Sequence, residues 1–336
     1  MKGFRWNWLL WGVVGVAAAI IGFAWFAPSS QFLYVPNKAT PVASKVTVPG
    51  EKPHAGPGGI YYVDVTIRRA TWAESKLAFL RPDGATLVPH DEVVPPGSTF
   101  EARHEEGLEE MARSEQVAAA VALKAAGYNV KSTPRGALVE AVATDVPAAK
   151  KLHSGDVIVA ALGKPTKTPE QLRRVFLGVK PGSAVDLRVR RQNKVSTVKV
   201  RTVESPHEHG RAIIGIRVAQ SANIKLPVKV DIDLGSVGGP SAGLPFALDV
   251  YQELGANVDR GKRVVATGEI ALDGSIAPIG GVKQKTFGAR AAHADVFLVP
   301  AGENATEARR YAGNLRIIPV ESFQQALSAL RTLSTE

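Results

Sequence analysis

Residues 228–254 read VKVDIDLGSVGGPSAGLPFALDVYQEL, and this stretch decides the fold of the C-terminal half. Its beginning, Val228–Leu234, alternates apolar and charged residues, which predicts a strand. The glycine-rich loop after it leads into an apolar run, which predicts a helix from about Ser241 to Leu254. Ser241 therefore stands at a junction of strand, loop and helix. The free N–H groups and positive dipole end of a helix start suit a developing oxyanion, although a serine there is more often only a helix cap.

A second stretch supplies a candidate general base. Val264–Ile270 (VVATGEI) is predicted to be a strand containing Thr267, and a turn leads from it into a predicted helix over Val282–His293. Lys283 and Lys285 lie in the first turns of that helix, where the helix dipole disfavours a cation. Burial there would lower the pKa of a lysine toward that of a useful base, whereas an exposed lysine would be an ordinary surface charge.

Three motifs, taken in their order, resemble the proteolytic domain of the Lon proteases. They are GPSAG at 239–243, TGEI at 267–270 and PIGGVKQK at 278–285. The sequence departs from that family at Gly238, because Lon enzymes often carry an acid three residues before the serine. It also contains no G-x-x-x-x-G-K-[ST] phosphate-binding loop. The resemblance therefore implies an ATP-independent enzyme whose substrates are unfolded or have exposed segments.

The resemblance also implies a role for each site residue. Ser241 inherits the role of nucleophile, and Lys285, rather than the lysine two positions earlier, inherits that of its general base. Thr267 would orient the lysine. Gly239 and Ala242 are supporting residues, because backbone N–H groups around the serine would hold the oxyanion. The implied activity is that of a serine endopeptidase with a Ser–Lys dyad and no cofactor.

Other functions fit the sequence less well. The stretch at 239–243 also matches the G-x-S-x-G elbow of α/β-hydrolases, with Asp273 and His293 in the right order, but no H-G-G-G motif precedes it. His207, Glu208 and His209 stand in a polar loop without metalloprotease spacing, so no metal site is predicted. The stronger alternative is a non-catalytic Lon-like scaffold that binds peptides at a membrane, although a scaffold would not need the serine, threonine and lysine together.

A second unit precedes the Lon-like motifs. It carries PRGALV at 134–139, PAA at 147–149 and HSGDVI at 153–158, a pattern that resembles the PDZ domains of bacterial envelope proteases. The resemblance implies capture of an extended peptide by strand addition, with backbone N–H groups of Gly136, Ala137 and Leu138 receiving a carboxylate. A spacer unit with an unused groove is the alternative.

The predicted fold class is α+β, with a Lon-protease-like α/β domain and a β-rich PDZ-like domain. We place the N-terminal part of the protease domain at 59–127, the PDZ-like domain at 128–205 and the proteolytic domain at 210–334. The first part contains a predicted strand, Ile60–Trp72, and an Ala-rich helix, Gly107–Gly127. Because Lon enzymes have similar elements before the serine-bearing strand, the PDZ-like unit is predicted to be inserted. Simple tandem domains are the alternative.

The N-terminus predicts a membrane anchor at 6–27. Trp8–Ala27 contains no charged residue and is long enough to cross a bilayer as a helix. Lys2 and Arg5 precede it, which predicts a cytoplasmic N-terminus and an extracytoplasmic catalytic body on a single-pass protein of the cell membrane. A cleaved signal peptide is the alternative, but no A-x-A site follows the apolar run. Six prolines within residues 28–58 predict an extended stalk.

Composition limits the classes of partner. The chain has 336 residues, no cysteine and a formal net charge of +10, so disulfides and thiolate catalysis are excluded. The basic residues concentrate between Lys164 and Arg201, where no aromatic platform accompanies them, so nucleic acid is not expected. The expected partners are polypeptide substrates and the membrane. Because Lon relatives form hexameric rings, a homo-oligomer is a further possible partner.

Overall fold

The structure is a computed structural model that describes residues 4–50, 58–94, 98–192, 194–206 and 208–333. The α-helices of these residues are α1 (Phe4–Phe26), α2 (Trp72–Lys76), α3 (His90–Val93), α4 (Phe100–Ala125), α5 (Pro169–Phe176), α6 (Gly243–Glu253), α7 (Val282–Ala291), α8 (Glu303–Tyr311) and α9 (Phe323–Arg331). The strands of the first half are β1 (Pro28–Pro36), β2 (Thr40–Pro41), β3 (Val46–Thr47), β4 (Gly59–Tyr62), β5 (Val65–Thr71), β6 (Thr86–Val88), β7 (Lys131–Val142), β8 (Val157–Ala161) and β9 (Lys164–Pro165). Those of the second half are β10 (Ala184–Arg191), β11 (Lys194–Arg201), β12 (Val203–Glu204), β13 (Ala212–Ile213), β14 (Ile216–Lys225), β15 (Asp231–Ile232), β16 (Arg263–Ala266), β17 (Glu269–Ile270), β18 (Ile276–Ala277), β19 (Val296–Pro300) and β20 (Arg316–Val320).

A five-stranded sheet joins the beginning of the chain to its end. Its strand order is β2-β4-β16-β19-β20, and β4 runs parallel to β16, with Ile60 opposite Val264. Strand β19 reads VFLVP and is buried at every position, as a parallel strand covered on both faces requires. Strand β4 comes before β7 in the chain and β16 comes after β14. The five-stranded sheet therefore combines segments that precede and follow the β7–β14 region in the sequence.

The largest core cluster lies on this five-stranded sheet. Its fully buried side chains include Ile60, Leu244, Phe246, Leu248, Leu298 and Phe323. Helices α4 and α6 pack on each other over this core. Because the turn that carries Ser241 leads into α6 at Gly243, this packing fixes the position of the serine.

The six-stranded sheet is a separate β-rich unit with its own core. Its order is β11-β10-β8-β7-β14, with β9 paired to β8. Helix α5 covers this sheet and has a regular start, because the Thr168 side chain accepts a hydrogen bond from the Gln171 N–H and Pro169 follows the cap. Strand β14 pairs with β7 along its whole length, from Ile216 opposite Val142 to Lys225 opposite Lys131.

The region predicted to be a Pro-rich stalk belongs to the folded body. Strand β1 is the central strand of a three-stranded sheet between β5 and β6, and Phe32 and Leu33 within it are buried. Pro28 and Pro36 stand at the two ends of this strand, where a missing N–H does least harm to the ladder. The stalk prediction is therefore wrong for residues 28–50, because the apolar residues between the prolines form strands and enter cores. Residues 51–57 lie outside the described part of the chain.

The N-terminal segment is helical from Phe4 to Phe26. Among the described residues, however, none of the helices combines the length and the apolarity that crossing a membrane requires. The predicted transmembrane anchor at 6–27 is therefore not supported. Lys2, which contributes to the predicted orientation, lies outside the described residues.

Several predicted elements have different bounds. The helix predicted over 107–127 begins at Phe100, because the Thr99 side chain accepts a hydrogen bond from the Ala102 N–H and so caps it seven residues earlier. The strand predicted over 60–72 is divided into β4 and β5. The strand predicted over 228–234 is reduced to the two residues of β15.

Candidate active site

Ser241 lies in a 3₁₀ turn, Pro240–Ala242, that leads into α6. Gly239 before it has a φ of +90°, a backbone conformation that favours glycine. Helix α4 holds this turn at two points. The Gly107 carbonyl accepts from the Gly239 N–H at 2.8 Å, and the Ser114 hydroxyl donates to the Pro240 carbonyl at 3.0 Å. The Gly239 N–H is thus already bonded to α4, and the supporting role of Gly239 stays a prediction.

The structure brings Ser241, Thr267 and Lys285 together. Lys285 Nζ lies 2.6 Å from Ser241 Oγ and 3.1 Å from Thr267 Oγ1. The Thr267 hydroxyl donates its own hydrogen to the Ser241 carbonyl at 3.1 Å, and the Gly268 N–H donates to the same carbonyl at 2.8 Å. With its hydrogen committed in this way, Thr267 Oγ1 can accept from Nζ. When the amine is neutral, one of its N–H groups donates to Thr267 and its lone pair would point at Ser241.

Lys285 is almost fully buried, with 4% of its surface exposed. Burial lowers its pKa to about 8, and the charge of Asp64 opposes that shift only in part. A lysine in water has a pKa near ~10.4, so burial greatly increases the neutral fraction at neutral pH. The position is set by α7, whose first residue follows Gly281 in the left-handed conformation.

The other candidates from the sequence have different partners. Lys283, two residues earlier on α7, points away from the serine, because its Nζ lies 3.3 Å from the Ala85 carbonyl and 3.2 Å from Thr86 Oγ1. The Asp273 carboxylate accepts from the N–H and hydroxyl of Ser275 within its own turn. In the described part of the chain, neither Asp273 nor His293 is hydrogen-bonded to Ser241. The geometry therefore favours the lysine over the acid and histidine of a hydrolase elbow.

Ser241 and Lys285 open onto a cavity of about 880 Å³. Its walls come from the segment around Asp64, from the N-terminal half of α4 and from the loop before the serine. A cavity of this size can hold a stretch of polypeptide beside the serine. In the residues that the structure describes, no group of three or more His, Cys, Asp or Glu side chains could hold a metal ion. His207 lies outside those residues.

Comparison with protein-family models gives two matches. Residues 123–202 match the PDZ domain, and residues 216–332 match the C-terminal proteolytic domain of Lon protease. The chain contains a PDZ domain and a Lon-type proteolytic domain. The Lon-type match includes the serine, the threonine and the lysine of the site. It supports the predicted class of enzyme, a serine endopeptidase of the Lon type.

Curated relatives match parts of the chain. Lon protease 1 of Sorangium cellulosum is 34% identical over 108 residues, which cover 29% of this chain and 13% of that protein. Lon protease 2 of Bacillus subtilis is 32% identical over 108 residues, which cover 32% of this chain and 18% of that protein. The chain therefore spans less than a fifth of the length of these Lon relatives. Among solved structures, the PDZ domain of an SdrC-like protein from Listeria monocytogenes is 28% identical, with 26% of this chain and 92% of that one covered and a TM-score of 0.24.

The residues predicted to bind a peptide do not lie at an open edge of the PDZ domain. Gly136, Ala137 and Leu138 belong to β7, which pairs with strands on both sides. Gly136 is opposite Ser221 of β14, and Ala137 is opposite Ile158 of β8. Strand addition needs an edge with unpaired N–H and C=O groups. The prediction of a groove at these three residues is therefore wrong.

A different groove lies between α5 and the start of β14. It has a volume of about 320 Å³, and β14 is the last strand in the order of its sheet. Apolar and basic side chains line it: Leu172, Phe176, Ile213, Arg173, Arg211 and Arg217. The sequence contains a signal for it, since AIIGIRV at 212–218 is an apolar run interrupted by a glycine. The predicted domain boundary at residue 205 excludes this run.

Proposed function

We propose that the chain is an ATP-independent serine endopeptidase that uses a dyad of Ser241 and Lys285. The observation that carries the proposal is the 2.6 Å contact between Lys285 Nζ and Ser241 Oγ, formed by a buried lysine at the wall of an open cavity. ATP independence is supported by the absence of a phosphate-binding loop from the sequence. The proposed chemistry needs no cofactor.

The first half of the reaction starts with neutral Lys285. Its Nζ takes the proton of Ser241, and Ser241 Oγ attacks the carbonyl carbon of the scissile peptide bond. We assign the resulting oxyanion to backbone N–H groups around Ser241, of which Pro240 has none and that of Gly239 is bonded to α4. Lys285 then returns the proton to the leaving amine, and the C–N bond breaks.

The second half releases the acyl group. Neutral Lys285 takes a proton from a water molecule, and the hydroxide attacks the ester carbon. The ester bond breaks, the proton returns to Ser241 Oγ, and the product leaves as a carboxylic acid. Whenever Lys285 is neutral, the hydrogen bond from Nζ to Thr267 Oγ1 keeps the lysine lone pair directed at the serine.

The PDZ domain is proposed to recruit polypeptides with an exposed tail. An extended segment would pair with the outer edge of β14 beside α5, where its side chains would meet Leu172 and Phe176. Its terminal carboxylate would be attracted by the arginines of that groove, Arg173 and Arg211. These features support recruitment at the start of β14.

Location at the cell membrane is a further proposal, and the sequence alone supports it. The uncharged run Trp8–Ala27 follows Lys2 and Arg5, which favours a cytoplasmic N-terminus and an extracytoplasmic body. Protease added outside, after removal of any wall or outer membrane, should degrade the body but spare a tag fused before Lys2. Protection of the body would contradict this orientation.

The decisive experiment on the activity uses the full chain in detergent with denatured casein and no ATP. We expect the wild type to cut casein and Ser241→Ala to lose the activity by about 10³-fold or more. Ser236→Ala is the matched control, because Ser236 is an exposed serine that lines the same cavity, and it should remain active. Equal cleavage by wild type and Ser241→Ala would overturn the proposal. Casein binding without cleavage by the wild type would favour a peptide-binding scaffold.

A further inference from the structure

Two carboxyl groups meet where the PDZ domain contacts the Lon-type domain. Glu140 lies on β7 of the PDZ domain, and Glu269 lies on β17 of the Lon-type domain, within the TGEI motif. Their side chains are only 15% and 16% exposed, and the two carboxyls are in hydrogen-bonding contact. Arg217 of β14 lies beside both, with Nε donating to Glu140 Oε2 at 3.0 Å and Nη2 at 3.9 Å from Glu269 Oε2.

One half-exposed guanidinium faces two partly buried carboxyls, so ionisation of both carboxyls is unfavourable. Burial, followed by the charge of Glu140, raises the pKa of Glu269 to about 8. Arg217 opposes this shift, and the charge of Glu110 of α4 adds to it. Arg103 and Arg113 of α4 line the same cavity as the pair. With its pKa raised in this way, Glu269 keeps its proton at neutral pH and can donate a hydrogen bond toward Glu140.

The pair is accessible to solvent protons. Glu140, Arg217 and Glu269 line a cavity of about 390 Å³ between the two domains, and Arg217 and Glu269 also line the catalytic cavity. Loss of the shared proton above pH 8 would leave two negative charges in contact at low exposure. Their repulsion would push β17 away from β7.

Glu269 is connected to the dyad by a very short stretch of backbone. Thr267, two residues earlier, is the hydrogen-bond partner of Lys285 Nζ, and the Gly268 N–H donates to the Ser241 carbonyl. Strand β17 has only two residues and pairs only with β18 among the described residues. A displacement of Glu269 would therefore move Thr267 relative to Lys285.

A second contact connects the same two domains through α4. Gly107 and Ser114 of α4 hold the turn that carries Ser241. Glu110 lies between them on the same face of the helix and accepts a hydrogen bond from the Ser154 hydroxyl of the PDZ domain at 3.0 Å. The PDZ domain thus contacts both segments that position the dyad. It meets β17 at Glu269 and α4 at Glu110.

We propose that Glu140 and Glu269 are positioning residues, whose shared proton holds the strand carrying Thr267 against the PDZ domain and so keeps Thr267 aligned on Lys285. This inference rests on the proposed peptidase function. Its consequence is a bell-shaped dependence of kcat on pH. The rate rises as Lys285 loses its proton and falls as the glutamate pair loses the proton that joins it.

The test compares two substitutions of Glu269 in the full chain with a soluble peptide substrate at saturation. Wild-type kcat should fall by about threefold or more between pH 8.5 and 9.5, since a single ionisation approaches tenfold per pH unit. Glu269→Gln keeps a hydrogen-bond donor and cannot ionise, so this fall should disappear. Glu269→Ala removes the contact and should lower kcat across the whole range by about 3- to 30-fold, and the Gln variant should recover most of that loss.

Glu115→Gln is the matched control. Glu115 lies on α4 and has a raised pKa of about 6 because of burial and Asp233, but it does not contact the pair. Its variant should retain the wild-type fall, and thermal melts at each pH separate a change in kcat from unfolding. A wild type that cleaves while Glu269→Gln shows the same alkaline fall would overturn this inference alone. A wild type that does not cleave would overturn the proposed function and this inference with it.

Discussion

Two buried ionisable groups have very different surroundings: Lys285 of α7, which lies near the start of α6, and Asp249 in the middle of α6. Near the start, Lys285 is 4% exposed, and its Nζ has oxygen partners on Ser241 and Thr267. In the middle, Asp249 is 1% exposed, and its Oδ2 has no hydrogen-bond partner among the described residues. Burial brings both pKa values to about 8, from above for the lysine and from below for the aspartate.

The comparison separates a perturbed group that can act from one that only destabilises the fold. The neutral form of Lys285 meets a hydroxyl at the wall of an open cavity, so the loss of its charge creates a usable base. Asp249 faces the core, where the charges of Glu253 and Asp259 add to the effect of burial. Its proton meets no substrate. A shifted pKa therefore indicates a functional site only together with a reactive partner and an open path to solvent.

The largest expected effect comes from removing the base. Lys285→Met keeps a long apolar side chain in the pocket but cannot accept the serine proton, so kcat/KM should fall by about 10⁴ or more. Lys283→Met on the same helix is the control and should stay within a few-fold of wild type, since its amine contacts Ala85 and Thr86 instead. The measurement is cleavage of an unfolded substrate at pH 8.

The same substitution tests the cost of burying the lysine. The folded pKa of about 8 lies below that of an unfolded lysine, so the penalty is complete below pH 8 and declines as the pH rises toward ~10.4. The free energy of unfolding of Lys285→Met should therefore exceed that of wild type by about 1–3 kcal/mol at pH 7, with a higher melting temperature. This gain in stability should shrink above pH 8. If Lys285→Met were less stable than wild type at pH 7, burial of Lys285 would not carry the stability cost that we expect for both Lys285 and Asp249.

A smaller loss of activity is expected at the residue that orients the base. Thr267→Val keeps the volume but removes the oxygen that accepts from Nζ, so kcat should fall by about 10- to 10³-fold with little change in melting temperature. Thr286→Val is the matched control, because Thr286 is a buried threonine of α7 whose hydroxyl donates to the Val282 carbonyl. It should leave kcat within a few-fold of wild type. Equal kcat values for wild type and Thr267→Val would remove Thr267 from the site.

Substitution of Asp249 should leave activity unchanged and alter only the stability of the fold. Between pH 4 and pH 8 the folded state keeps the Asp249 proton and the unfolded chain releases it, so wild-type stability falls as the pH rises through this window. Asp249→Asn cannot ionise, so it should be more stable than wild type by about 1–4 kcal/mol at pH 7, with little gain at pH 4. Thermal melts at both pH values measure the difference. A loss of activity in this variant would contradict its assignment to the core.

Local patterns were sufficient for the parts of the site that short segments build. The glycines around Ser241 predict a turn, the apolar run after it predicts α6, and the position of Lys285 on α7 follows from the turn before that helix. Such patterns work because a turn depends on the backbone freedom of a few residues and a helix on neighbours three or four positions away. The choice between Lys283 and Lys285 came from resemblance to Lon enzymes, and the structure gives the physical reason, since only Lys285 Nζ contacts the serine.

Contacts between distant segments could not be read in the same way. The prolines after residue 27 predict a stalk, yet Phe32 and Leu33 between them are buried in a sheet whose partner strands begin at Val65 and Thr86. The PRGALV run predicts a peptide groove, yet β14 occupies the edge it would need. A strand shows the same alternation whether its edge meets a peptide, another strand or water, so sequence alone does not identify the partner.

The sequence by itself determined the kinds of domain, the order of the motifs and the identity of the serine, threonine and lysine. Only the tertiary structure decided which edge of the PDZ domain is open, that α4 holds the serine turn, and that Glu140 and Glu269 meet across the domain boundary. It also decided the pKa of Lys285, because the free energy of a charge depends on how much water the whole fold leaves around it. Burial is a property of every segment that packs on a residue, and no local pattern contains it.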